Sequence, residues 1–120
     1  MGLTYVTVAL SIPGSSGARY STQFLVDTGA TDTLAPAIEL HKAGIRPIGK
    51  TVYELANGSV VEYEFGLAQI EFMGEVTAGR VIFGPDGSEP LLGVTALESV
   101  GILVDPAGKT LKRLPAIPLK

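Results

Sequence analysis

The sequence predicts an all-β domain of short strands joined by tight turns, with one or two short helices. Three observations carry this. Of 120 residues, 29 are the β-branched Val, Ile and Thr, which suit a pleated backbone. Fifteen Gly and 8 Pro punctuate them at short intervals. Apolar residues make up 46% and charged ones 18%, with mean hydropathy +0.35; that balance excludes disorder and supplies the core of a single domain over residues 1–120.

The elements follow in order. Leu3–Leu10 alternates polar with apolar residues and reads as a strand. Ser11–Ala18, rich in Pro, Gly and Ser, turns the chain back into Arg19–Val26, a strand ending in Phe24-Leu25-Val26; within the turn, Gly14-Ser15-Ser16-Gly17 matches neither a nucleophile elbow nor a phosphate loop. The loop Asp27–Thr31 and a short extended piece, Asp32–Ala35, come next. Pro36 suits a first helical turn, and Gly44 stops the helix after Ala43. Thr51–Ala56 and Ser59–Phe65 flank Asn57-Gly58, which predicts a hairpin whose two central residues both take positive φ. In the second arm Val61, Tyr63 and Phe65 alternate with Glu62 and Glu64, so the acids belong to an exposed face. Gln69–Phe72 and Val76–Phe83 are two further strands, with turns at Met73-Gly74 and Gly84–Gly87. Leu91-Leu92-Gly93 leads into a short helix, Val94–Val100. A last hairpin joins Ile102–Val104 to Thr110–Leu111 across Asp105–Gly108.

Net charge is −3 with a pI near 5.0 and no basic stripe, so no nucleic-acid partner is expected. The absence of Cys removes disulfides, thiol catalysis and Cys-bearing zinc sites. The single His, His41, rules out a His-rich metal centre within one chain; beside Lys42 it reads as a solvated or helix-capping residue. No metal and no cofactor are expected. No apolar run approaches the ~20 residues that span a bilayer. The N-terminal stretch lacks the basic region of a signal peptide, and position 6 is Val where myristoylation wants Ser or Thr. No membrane partner is expected, and a cytoplasmic location is the default.

The chemistry lies in Phe24–Thr33. An apolar strand delivers Asp27 into a tight loop, where Gly29 permits close backbone approach and the Thr28 hydroxyl can fix the turn. The plain alternative is a surface turn in which Asp27 bonds its own backbone. A Mg²⁺ pair of Asp27 and Asp32 lacks further carboxylates and a phosphate loop, since only four Asp exist.

Asp27-Thr28-Gly29-Ala30 after apolar residues, a hairpin at Ala56-Asn57-Gly58-Ser59, and Leu91-Leu92-Gly93 opening a short helix occur in this order over roughly residues 3–114. In this the chain resembles the retropepsin-like aspartic proteases, most of all cellular single-domain members from microbes. The resemblance implies a small closed β-barrel of the acid-protease type, homodimeric, with a flap hairpin at about 51–65. It implies that Asp27 is catalytic, supported by Thr28, Gly29 and Ala30. Thr28 would bond across the dimer and Gly29 would offer its carbonyl to the substrate backbone. Thr31, Asp32, Leu91 and the flap tip Ala56, Asn57, Gly58 and Ser59 would contact a polypeptide substrate, with Leu25 and Ile82 as further pocket liners. Gly93 would allow the helix to pack under the catalytic loop; for Gly58 and Gly93, plain turn and cap roles stand equally.

Hydrolysis of this kind needs two carboxylates, and one Asp-Thr-Gly exists here. Two copies are therefore expected to pair about a two-fold axis and bring two Asp27 side chains together, the apolar tail Ala116–Leu119 contributing to the interface. Viral members carry a second Asp where this chain has Thr31, and an Arg where it has Val94. Those two form an ion pair, so the loss of both leaves no stranded charge. Asp32 could supply a carboxylate instead, with a solvated loop Asp as the simpler expectation. The rival reading is a dimeric peptide-binding or scaffold barrel with weak or no catalysis.

Overall fold

The computed structural model describes residues 4–105 and 110–119. Nine strands and two short helices run β1 (Tyr5–Ser11), β2 (Arg19–Asp27), β3 (Thr33–Pro36), α1 (Ala37–Lys42), β4 (Gly49–Glu54), β5 (Val60–Phe72), β6 (Glu75–Gly84), β7 (Leu91–Gly93), α2 (Val94–Ser99), β8 (Ile102–Asp105) and β9 (Thr110–Arg113) among these residues. Leu3, in the first predicted strand, and residues 106–108 of the last predicted turn lie outside them.

The strands pair in the order β1-β2-β7-β3-β6-β5, and β5 pairs back with β1 through Leu10↔Ile70. Six strands thus close into a barrel, the all-β fold that the composition predicts. β4 hangs outside the ring on β5, and β8–β9 form a separate two-stranded sheet. Alternation fills the interior: Val8 and Leu10, Phe24, Ala68 and Ile70, Val81, and Leu92 are buried against one another, with Leu40 of α1 and Leu97 of α2 closing the core. Pro36 precedes α1, and Gly44 at φ +82° ends it, its amide donating to the His41 carbonyl at 3.0 Å. The exposed His41 ring rests 5.2 Å from that of Phe83.

Two predicted elements differ. Ser59–Phe65 and Gln69–Phe72 are one 13-residue strand, β5. Gly66 continues the strand: a Cβ there would stand 2.6 Å from the Arg46 carbonyl oxygen, so the glycine serves close backbone approach. The covered face of β5 also changes at this point. Gly66, Ala68, Ile70 and Phe72 face the core, whereas before them Val61, Tyr63 and Phe65 are half-covered on the opposite face and Glu62 and Glu64 stay exposed. The β4–β5 hairpin therefore leaves the barrel and covers its outer surface.

The second difference is the turn at Asn57-Gly58. Only Gly58 takes positive φ, +87°. The Gly58 amide donates to the Leu55 carbonyl at 2.9 Å, and the Leu55 amide to the Ser59 carbonyl at 2.8 Å. Pairing Glu54↔Val60 leaves too many residues for a two-residue turn, so the loop is a turn followed by one left-handed glycine. The turn with two positive φ values is Met73-Gly74, at 53° and 77°, directly between the paired Phe72 and Glu75.

Candidate active site

Asp27 ends β2, and its partner in the parallel pairing with β7 is Gly93. The chain then turns sharply. The Ala30 amide donates to the Asp27 backbone carbonyl at 3.1 Å, and the Gly29 amide donates to Asp27 Oδ1 at 2.9 Å. The loop itself thus holds one oxygen of the half-buried carboxylate, as an Asx turn does. A Cβ on Gly29 would come within 3.2 Å of that oxygen.

From below, α2 fastens the loop. The Val94 amide donates to the Ala30 carbonyl at 2.8 Å and the Thr95 amide to the Thr31 carbonyl at 3.2 Å. These are first-turn amides that have no partner within their own helix. The Gly93 amide donates to the buried Thr33 hydroxyl at 3.1 Å. Leu91-Leu92-Gly93 and the Asp loop, far apart in sequence, are one structural unit. Asp27, Ala30 and Asp32 are half-buried; Thr28, Gly29 and Thr31 are exposed.

Asp32 is not the solvated loop Asp the sequence suggested. Its Oδ2 accepts a hydrogen bond from the Tyr53 hydroxyl at 2.7 Å. Desolvation first, then the hydrogen bond and charge of Asp32, raise the Tyr53 pKa above its ordinary 10.0, while Arg80 pulls it back. Arg80 lies 4.0 Å above the Phe65 ring centre and its Nη1 donates to Thr51 Oγ1 at 2.9 Å. Tyr53 and Arg80 did not emerge as site residues from the sequence. A signal existed: Thr51 and Tyr53 alternate in phase with Val61 and Tyr63 on the covered face of the hairpin, where the two tyrosine rings sit 6.3 Å apart.

Ala56, Asn57, Gly58 and Ser59 are all exposed at the hairpin tip, where Asn57 Oδ1 accepts from the Ser59 amide at 2.9 Å. Leu91 pairs with Leu25 on one side and Leu34 on the other, and Leu34 pairs with Ile82. Leu25, Leu91, Leu34 and Ile82 thus form one row across the sheet, beside the Asp loop. On the loop's other side an open groove of about 400 Å³ is lined by Thr28, Val94, Leu97, Ile102, Leu103 and others. Ile117 of the tail packs beside Gly101, while Leu119 is 98% exposed. Among the described residues, no cluster of three His, Asp or Glu side chains could hold a metal ion.

Residues 15–99 match the family model of the gag-polyprotein putative aspartyl protease, a span that includes the Asp loop, the hairpin and α2. The chain belongs to this aspartyl protease family. Its fold is similar to that of the EIAV protease complexed with the inhibitor HBY-793, with a TM-score of 0.62 at 18% identity, covering 83% of this chain and 89% of that one. Among curated proteins none matches. As an aspartyl protease, the chain carries one family-type Asp-Thr-Gly loop on a closed barrel, fixed by strand β7 and the start of α2.

Proposed function

We propose that this aspartyl protease acts as a homodimer, cutting a polypeptide with water activated between two Asp27 carboxylates, one from each subunit. One observation carries the reading. The chain holds a single Asp-Thr-Gly, and the other carboxylate of that loop, Asp32, is already bound by the Tyr53 hydroxyl. A second acid therefore comes from a second copy. At ~3 Å and an effective dielectric of about 20, two such charges repel by roughly 5 kcal/mol. The pair accordingly keeps one proton and titrates in two separated steps. The ionised carboxylate takes a proton from water as the water oxygen attacks the scissile carbonyl carbon, and the protonated one gives its proton to the carbonyl oxygen. Collapse of the tetrahedral diol breaks the C–N bond, with a proton passing to the departing amine.

In this scheme Gly29, Thr31 and Asp32 border the substrate, the row Leu25–Leu91–Leu34–Ile82 receives its side chains, and Ala56–Ser59 closes over it and excludes water. The apolar groove beside Thr28, with Leu103 at its edge, supports placing the second copy there. The test is cleavage of an unfolded protein at acidic to neutral pH, blocked by a statine-type peptide mimic and abolished by Asp27→Asn, with sedimentation in parallel. Turnover that survives Asp27→Asn, or full activity from a monomer, refutes the reading.

A further inference from the structure

We propose that the Tyr53–Asp32 hydrogen bond is a latch that pins the flap hairpin to the catalytic loop, which makes Tyr53 a positioning residue for substrate entry and release. The proposal rests on the homodimeric protease reading above.

The two partners belong to parts of the molecule held in very different ways. Asp32 sits in a loop fixed by Val94, Thr95 and the Gly93–Thr33 bond, and Gly93 passes directly beneath its carbonyl. It cannot follow a moving hairpin. Tyr53 sits on β4, the outermost strand of the sheet, which among the described residues pairs with β5 alone. The outer face of that hairpin is uncovered, with Val52 60% and Val60 68% exposed. Restraint has to come from the inner face. Thr51 and Tyr53 carry the side-chain bonds that leave β4 there. Arg80 stands on β6, a strand of the closed barrel; it donates to Thr51 and lies beside the Tyr53 hydroxyl, so it ties the arm to the barrel wall rather than to the loop. Tyr53 to Asp32 crosses from the hairpin to the catalytic loop, at 2.7 Å and part-buried. A hydroxyl donating to a carboxylate is among the stronger hydrogen bonds. The latch lies one strand residue before the end of β4, so the tip Ala56–Ser59 stays free while the arm is held.

Breaking the latch raises the population of hairpins lifted from the loop. Tyr53→Phe keeps the ring beside Tyr63 and removes only the donor. Asp32→Asn keeps an acceptor oxygen, and Asp32→Ala removes it. The readouts are amide hydrogen exchange of residues 50–54 in the full chain and, for Tyr53→Phe, steady-state cleavage. Exchange in the arm is expected to speed up about tenfold in Tyr53→Phe and Asp32→Ala, and by less in Asp32→Asn, which keeps a neutral acceptor, with β1 and β2 unchanged. KM is expected to rise several-fold with kcat kept or increased. Arm exchange that Tyr53→Phe leaves unaltered, or a uniform rise across the barrel, overturns the latch. Arm-specific exchange in a parent chain that cleaves nothing keeps the latch and sinks the protease reading instead.

Discussion

Gly93 lies directly under Asp32: a Cβ built on Gly93 would stand 2.5 Å from the Asp32 carbonyl carbon and 2.7 Å from its oxygen. Its backbone is ordinary, at φ −81° and ψ 161°, so space alone demands glycine. The contact explains why Leu91-Leu92-Gly93 stands where it does. β7 must pass close enough for Gly93 to reach the Thr33 hydroxyl and for α2 to hold the loop carbonyls.

Gly93→Ala is expected to destabilise the fold by roughly 2–3 kcal/mol, since backbone rather than a flexible side chain must move. Chemical denaturation measures the loss. Cleavage should fall further than the folded fraction explains, because the displaced atoms belong to the Asp loop.

Asp27→Asn keeps an oxygen for the Gly29 amide, so the fold should hold within about 1 kcal/mol while turnover falls by about 10³-fold or more. The same variant tests subunit pairing. An excess of Asp27→Asn chains mixed with active ones should quench activity through mixed dimers, and activity that simply dilutes would contradict a shared centre.

The strand glycines of β5 and β6 should part company. Gly66→Ala meets the Arg46 carbonyl oxygen at 2.6 Å and should cost about 2 kcal/mol or more. Gly79→Ala meets nothing within 4 Å and should be neutral or stabilising by about 0.5–1 kcal/mol, through a less flexible unfolded chain. Thermal melts of the two variants decide it.

Tyr53 gives a pH dependence with a definite sign. Its pKa in the folded protein lies above 10.0, so the folded state holds the phenol proton more firmly than the unfolded chain does. That contribution is complete below pH 10 and is lost as pH rises through the elevated folded value. Tyr53→Phe should therefore flatten the alkaline fall in stability relative to the parent. Tyr5 and Tyr20 are also raised and persist in the variant, so the difference between the two denaturation profiles isolates Tyr53.

Much of this protein was legible in the residue order. Period-two alternation located the second arm of the β4–β5 hairpin and the exposed Glu62 and Glu64, and the apolar run before Asp27 marked the strand that carries it. Asn57-Gly58 pointed to a hairpin but to the wrong turn, because loop length is set by the pairing Glu54↔Val60, a register no dipeptide specifies. Ser59–Phe65 and Gln69–Phe72 read as two strands because Gly66 between them serves the close approach of Arg46, a residue distant in sequence.

The sequence by itself determined a strand-built chain, the Asp27 loop and the glycine-opened helix, since these depend on local periodicity and on residues that bend or stiffen their own backbone. Only the tertiary structure decided that six strands close into a ring, that Gly93 fits under Asp32, and that Tyr53 reaches the same Asp32 from the β4–β5 hairpin. Those depend on which distant strands pair and in what register, and a hydrogen bond between residues 21 apart exists only once that pairing has placed donor and acceptor together.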